Sequence, residues 1–168
     1  MQTPDSLPSN IRLENGGFNA PTIAAVSLLV SRHPPFLGYA FGLMMARLND
    51  QLTNKANVLI VKNDALMAYA GWIVVRDAEA KKWLIEGGEL PTPDWKNGDA
   101  AIVTITVTED QSFLLPLIRA VSTMCAGKKV YRMRSFQNGK ADMRRMPITG
   151  RAQSFISKPA SNQDPQSQ

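Results

Sequence analysis

The chain of 168 residues holds one cysteine, one histidine and no long apolar run, and each scarcity excludes something. A lone Cys125 cannot form an intramolecular disulfide, and its setting between Val121, Met124 and Gly127 suits a buried thiol rather than a nucleophile. No apolar stretch reaches the roughly 18 residues needed to span a bilayer. Ile23–Val30 and Phe36–Ala46 come nearest, and Arg32, His33 and two prolines separate them. The first 19 residues are polar and lack the basic start of a secretory signal. With the unpaired thiol, this leads to the expectation of a cytoplasmic protein without a transmembrane segment. Gly-rich phosphate loops, paired-cysteine zinc spacings and nucleophile elbows are all missing, so the sequence implies no metal and no bound cofactor.

What is present suits one domain. Apolar residues make up 44% and charged residues 20% of the chain, an ordinary globular balance. The net charge of +5 is unevenly placed. Lys128, Lys129, Arg132, Arg134, Lys140, Arg144, Arg145 and Arg151 face a single acid, Asp142, over that stretch. Such a cluster would steer an acidic partner: a carrier protein, an anionic membrane surface or nucleic acid. A solvated basic face without a partner is the plainer alternative. Residues 1–19 read as a flexible N-terminal segment, 20–147 as the folded domain and 148–168 as a disordered, polar, proline-containing tail.

Within the domain, Asn19 can cap a helix that carries Pro21 in its first turn and runs to Arg32. Pro34 and Pro35 break it. A second helix is expected from Phe36 to Leu52, with Tyr39, Leu43, Met44, Leu48 and Leu52 at helical spacing. Val58–Val61 and Leu66–Val75 read as a hairpin about Asn63-Asp64. The stretch Asp77–Gly98 reads as irregular. Ala101–Val107 is a third strand whose alternation sets Val103, Ile105 and Val107 on one buried face against Thr104 and Thr106. A helix from Ser112 to Cys125 ends at Gly127, and Val130–Arg134 forms a last strand with Arg132 and Arg134 on one face. The fold class is α/β (α+β): a mostly antiparallel central sheet flanked by helices.

His33 is the side chain whose ordinary pKa lies nearest neutrality, which suits a general base, although a histidine at a helix end can equally serve the helix dipole. Glu86, Glu89, Asp94, Asp99, Glu109 and Asp110 read as solvated loop charges. Trp72, Trp83 and Trp95 read as core or half-core residues.

Several segments taken in order carry a resemblance. Asp94-Trp95-Lys96-Asn97-Gly98-Asp99 is similar to the acidic-Trp-x-Ser/Asn-Gly-acidic motif of the RTX toxin-activating lysine acyltransferases. Tyr69-Ala70-Gly71-Trp72 resembles that family's Tyr-x-x-Trp strand end, at a matching interval from Trp95. Ser27, Leu29 and Pro34 fall where the family has Ser-x-Leu and the proline before its histidine. Phe136-Gln137-Asn138-Gly139-Lys140 resembles its Phe-x-Gly-Gly-Lys segment, after Arg132 and Arg134 in the preceding strand. The resemblance implies an acetyltransferase-like fold and transfer of a fatty acyl group from acyl carrier protein to a lysine of a target protein.

On that basis Trp72, Trp95 and Asp99 would line the acyl cleft, and Lys128, Lys129, Arg132 and Arg134 would dock the carrier. Acyl-acyl carrier protein would be the co-substrate. The partners would be that carrier and a target protein; a homodimer is allowed, and nucleic acid ranks behind. In an ungapped alignment the family's catalytic histidine falls on Phe36, its aspartate on Ile105 and its helix asparagine on Arg47. A shift of three residues brings His33 to the histidine's place and makes it the candidate catalytic residue. A catalytically degenerate homologue, binding a partner through its basic surface, is the alternative.

Overall fold

The computed structural model describes residues 10–34, 36–87, 89–132 and, for the backbone, 148–151. Six strands form one sheet in chain order: β1 (Ile11–Glu14), β2 (Asn57–Lys62), β3 (Ala65–Val75), β4 (Ala100–Thr108), β5 (Lys129–Arg132) and β6 (Ile148–Arg151). Every neighbouring pair is antiparallel except β4 and β5, which run parallel. The expected mixed α/β class with a mostly antiparallel sheet is what the molecule has. Two segments read from sequence as loose ends, Ile11–Glu14 and Ile148–Arg151, pair as its edge strands. Both are only four residues long, too short for an alternation pattern to stand out.

Helices α1 (Ala20–Ser31), α2 (Phe41–Thr53), α3 (Asp77–Glu86) and α4 (Leu114–Met124) cover the sheet. The Asn19 side chain accepts the Thr22 N–H at 2.9 Å and caps α1 as expected. The second helix starts later than its periodicity suggests. Phe36–Gly38 forms a 3-10 turn, and α2 opens at Phe41. The tip of the β2–β3 hairpin has Asn63 and Asp64 both at positive φ (50° and 60°), the backbone of a two-residue turn that matches strand twist. The stretch read as irregular contains α3. Gly87, Pro91 and Pro93 mask a short helical spacing of Ala80, Trp83 and Leu84, which pack on Ile73, Val75 and Ile102.

The sheet has two apolar faces. Val58, Ile60, Ala70, Trp72 and Val74 meet Phe113, Leu117, Val121 and Cys125 of the α4 region. On the opposite face Leu59, Tyr69, Ile105 and Val107 meet α1 and α2, and α3 covers Ile73, Ala100 and Ile102. Cys125 is 1% exposed, and burial pushes its thiol up to about 12, which makes it an inert core group.

The alternation on β4 is not continuous. Gly71 pairs with Ile105 and Trp72 with Val103, so Thr104 is an extra residue, a β-bulge. The bulge switches the phase of the strand. Ile102 and Ile105 therefore share a face, while Val103 packs on the α4 side, contrary to the sequence expectation.

Gln51 of α2 is fully buried at this bulge. It donates from Nε2 to Thr104 Oγ1 at 2.7 Å and accepts from Tyr69 Oη at 2.8 Å. Gly71 leaves the space for it: a Cβ there would lie 2.1 Å from Gln51 Oε1. Tyr69→Phe should cost about 1–2 kcal/mol, because the buried Gln51 oxygen loses its donor. Urea unfolding of the two proteins measures this, and equal midpoints would refute it.

Candidate functional site

Among the described residues β4 pairs in parallel with β5, Ala100–Val103 against Lys129–Arg132, so the carboxyl ends of both strands lie at the same edge of the sheet. In open α/β sheets ligands sit at the carboxyl ends of parallel strands, where the crossover helix begins.

The carboxyl end of β4 runs into a tight corner. Glu109 N–H donates to Met67 O at 2.8 Å, and the Asp110 carboxylate accepts the Ser112 N–H at 2.8 Å, which holds that carboxyl below its ordinary range. This fixes Glu109 facing the end of α1. Its Oε1 accepts from Arg32 Nη2 at 2.8 Å, and its Oε2 lies 3.9 Å from His33 Nε2.

His33 is held from both directions. Its own N–H donates to Val30 O at 3.1 Å, and its carbonyl accepts the Phe36 N–H at 2.9 Å. The ring Nδ1 stands 2.8 Å from Leu29 O. A carbonyl only accepts, so Nδ1 carries the hydrogen, and in the neutral ring Nε2 keeps its lone pair. The side chain is 24% exposed, so it is fixed yet reachable. A base at Nε2 beside a carboxylate becomes a stabilised imidazolium on taking a proton. From sequence Glu109 reads as a solvated loop charge. The packing of α1 on β3 and the corner after β4 bring it to His33, across a separation no local pattern reveals.

The other candidates have different settings. Phe36 packs at the edge of the α1–α2 core, Ile105 is 2% exposed inside it, and Arg47 is half-buried on α2. Trp72 is 4% exposed in the α4-side core, and the half-buried Trp95 packs against that same cluster. The Asp94–Asp99 segment is a turn locked by its own hydrogen bonds. Asp94 Oδ1 accepts the Asn97 N–H at 2.9 Å, and Gly98 N–H donates to Asp94 O at 2.9 Å. Asp99 Oδ1 accepts the Asp77 N–H at 2.7 Å at the start of α3.

Of the expected docking cations, Lys128 Nζ donates to Gly98 O at 2.7 Å and Lys129 Nζ to Asp77 Oδ2 at 2.6 Å. Arg132 closes β5 and is also engaged. Arg134 lies outside the described residues.

Asp77 binds Lys129, Lys81 and the Tyr131 hydroxyl, and these three hold its carboxyl well below the usual 3.8. A lowered folded-state pKa means that this stabilisation is complete above the unfolded value and is lost as pH falls below about 4. Asp77→Asn should therefore lower the thermal midpoint at pH 7, by a difference that narrows as pH falls from about 4 to 2. A constant difference across that range would refute the linkage.

No protein-family model and no curated protein matches the chain. Solved structures do. The loading GNATL domain of CurA from Lyngbya majuscula superposes with a TM-score of 0.55 at 9% identity, over 76% of this chain and 66% of that one. An acetyltransferase of the GNAT family from Streptococcus agalactiae gives 0.55 at 11% identity, over 77% and 79%. The fold is that of the GCN5-related N-acetyltransferases (GNAT). At these identities the similarity concerns the GNAT architecture, and the narrower toxin-activating family rests on the motif resemblance alone. This chain spans just under two-thirds of the first of the two neighbours. Among the described residues no helix of this GNAT-like domain is long and apolar enough to cross a membrane.

Proposed function

We propose that the protein is an acyltransferase that moves an acyl group from a carrier thioester to an amine, with a lysine of a target protein as acceptor and acyl carrier protein as donor. The observation that supports this most is convergence. His33 and Glu109 meet at the carboxyl end of β4, the strand that pairs in parallel with β5 within a GNAT architecture.

The chemistry needs four elements. A lysine ammonium must first lose one proton to solvent, because only the neutral amine attacks a thioester. The amine nitrogen bonds to the carbonyl carbon, His33 Nε2 takes the second proton from that nitrogen while Glu109 steadies the imidazolium, the C–S bond breaks, and the imidazolium passes its proton to the leaving thiolate. The tetrahedral oxyanion needs hydrogen-bond donors beside the reacting carbonyl.

The donor and the acceptor are the finer part of the proposal and rest on the motif resemblance. The test uses acyl carrier protein loaded with a labelled acyl chain, incubated with the full chain and lysine-bearing acceptor proteins. Label should appear in amide linkage on an acceptor lysine. Label that stays on the carrier with every acceptor would reject the reading.

One observation favours a second reading, a degenerate homologue that binds without turnover. Phe36 and Ile105, on the positions that the resemblance gives to the acid–base pair, are apolar packing residues. Binding would then run through the basic surface and weaken with salt. Carrier binding unchanged by charge reversal of Lys128, Lys129, Arg132 and Arg134 would count against it.

A further inference from the structure

Helix α1 carries no charged residue from Ala20 to Ser31 and is apolar on both faces. Val26, Leu29 and Val30 fill the core, while Leu28 on the opposite side is 65% exposed. The chain then turns through a corner of apolar tips. Leu37 is 65%, Tyr39 51%, Phe41 77% and Leu43 66% exposed. A helix apolar all round belongs in a core or a bilayer, and large apolar side chains exposed this close together in the chain mark a place of contact.

Charge narrows the choice of partner. From Asn15 to Asn49 the sequence contains no acidic residue but has Arg32 and Arg47. Glu109 reaches Arg32 from β4, while Arg47 makes no ion pair among the described residues. Arg47 is thus the cation this face leaves for a partner, and a second copy on the same face would bring another Arg47 rather than an acid to meet it. A partner that is negative at its surface and apolar just beneath fits both features. That is an anionic phospholipid bilayer, in which Leu, Phe and Tyr enter the headgroup boundary while Arg meets phosphate.

We infer that the α1–α2 corner is a membrane-docking surface for anionic phospholipid, with Leu37 and Phe41 inserted and Arg47 at the headgroups. The inference stands apart from the acyltransfer reading, and its test does not use activity.

The full chain is mixed with vesicles of phosphatidylcholine alone, or with 30% phosphatidylglycerol (roughly the charge of an anionic leaflet), and floated on a density gradient. Flotation should occur with the anionic vesicles and weaken as salt is raised. The Leu37→Ser/Phe41→Ser variant should lose about tenfold or more in partitioning, since two large side chains no longer leave water. Arg47→Glu should also weaken it. Both changes lie at exposed or half-exposed positions, and an unchanged thermal midpoint establishes that the variants are folded.

Three results would overturn the inference. One is no flotation of the full chain with anionic vesicles. Another is flotation abolished by Lys140→Glu/Arg144→Glu yet indifferent to Leu37→Ser/Phe41→Ser, which would move the contact to the basic segment. The third is a concentration-dependent dimer in sedimentation equilibrium that Phe41→Ser dissolves, which would make a second copy the occupant.

Discussion

His33→Gln should lower the rate of label transfer from carrier to lysine by about 10²–10⁴-fold, the usual contribution of a positioned general base. The loss should fall on kcat rather than KM, because the imidazole acts on a proton in flight and not on the bound acyl chain. Glutamine keeps a side chain able to donate to Leu29 O and has no basic lone pair at the Nε2 position, so the melting temperature should scarcely move. Glu109→Gln should cost about tenfold, because the imidazolium loses the carboxylate 3.9 Å away but keeps its tautomer through Leu29. Single-turnover transfer with labelled carrier separates the two. Equal rates for the parent and His33→Gln would remove His33 from the mechanism, and a loss confined to KM would recast it as a binding residue.

Gly98→Ala should destabilise the fold by about 3 kcal/mol, a fall in Tm of roughly 6–12 °C for a chain of this size. A Cβ at this position would lie 2.5 Å from Val74 Cγ1, 2.7 Å from Asp94 O and 2.8 Å from Val75 O. Two of those atoms are backbone carbonyls, and neither can swing aside. The Asp94 carbonyl accepts the N–H of Gly98 itself, while Asp94 N–H donates to Val74 O at 2.7 Å, so relief in one place breaks a bond in another. Gly42→Ala is the control. Nothing lies within 4 Å of a Cβ there, and alanine suits a helix better than glycine. Calorimetry that gives the two variants equal midpoints would show that the Asp94–Asp99 turn yields more easily than its contacts imply.

The Gly98 case shows how a motif can be visible in sequence while its reason is not. Trp95, Gly98 and Asp99 stand out in the linear chain and suggest a cleft. In three dimensions Gly98 is pressed onto the end of β3, Asp99 receives the first N–H of α3, and Trp95 packs against the α4-side core. Each residue type is required, but by contacts that local pattern does not contain. The basic cluster behaves similarly. Lys128 and Lys129 count toward the charge that steers partners, yet both ammonium groups are satisfied within the molecule. Helix α3 was hidden for the opposite reason: the nearby glycines and prolines end it, and a breaker reads the same whether it stops a helix or prevents one.

The linear chain determined what depends on near neighbours. The Asn19 cap, the proline break after α1, the Asn63-Asp64 turn, the β-branched run of β4 and the glycine after α4 were all legible, because capping, φ restriction and alternation act over four residues or fewer. Tertiary structure alone decided the bulge at Thr104, the parallel pairing of β4 with β5 and the meeting of His33 with Glu109. Those depend on strand register and on which ends of distant elements coincide. The free energy that sets them comes from burial shared over the whole sheet rather than from any one stretch of chain.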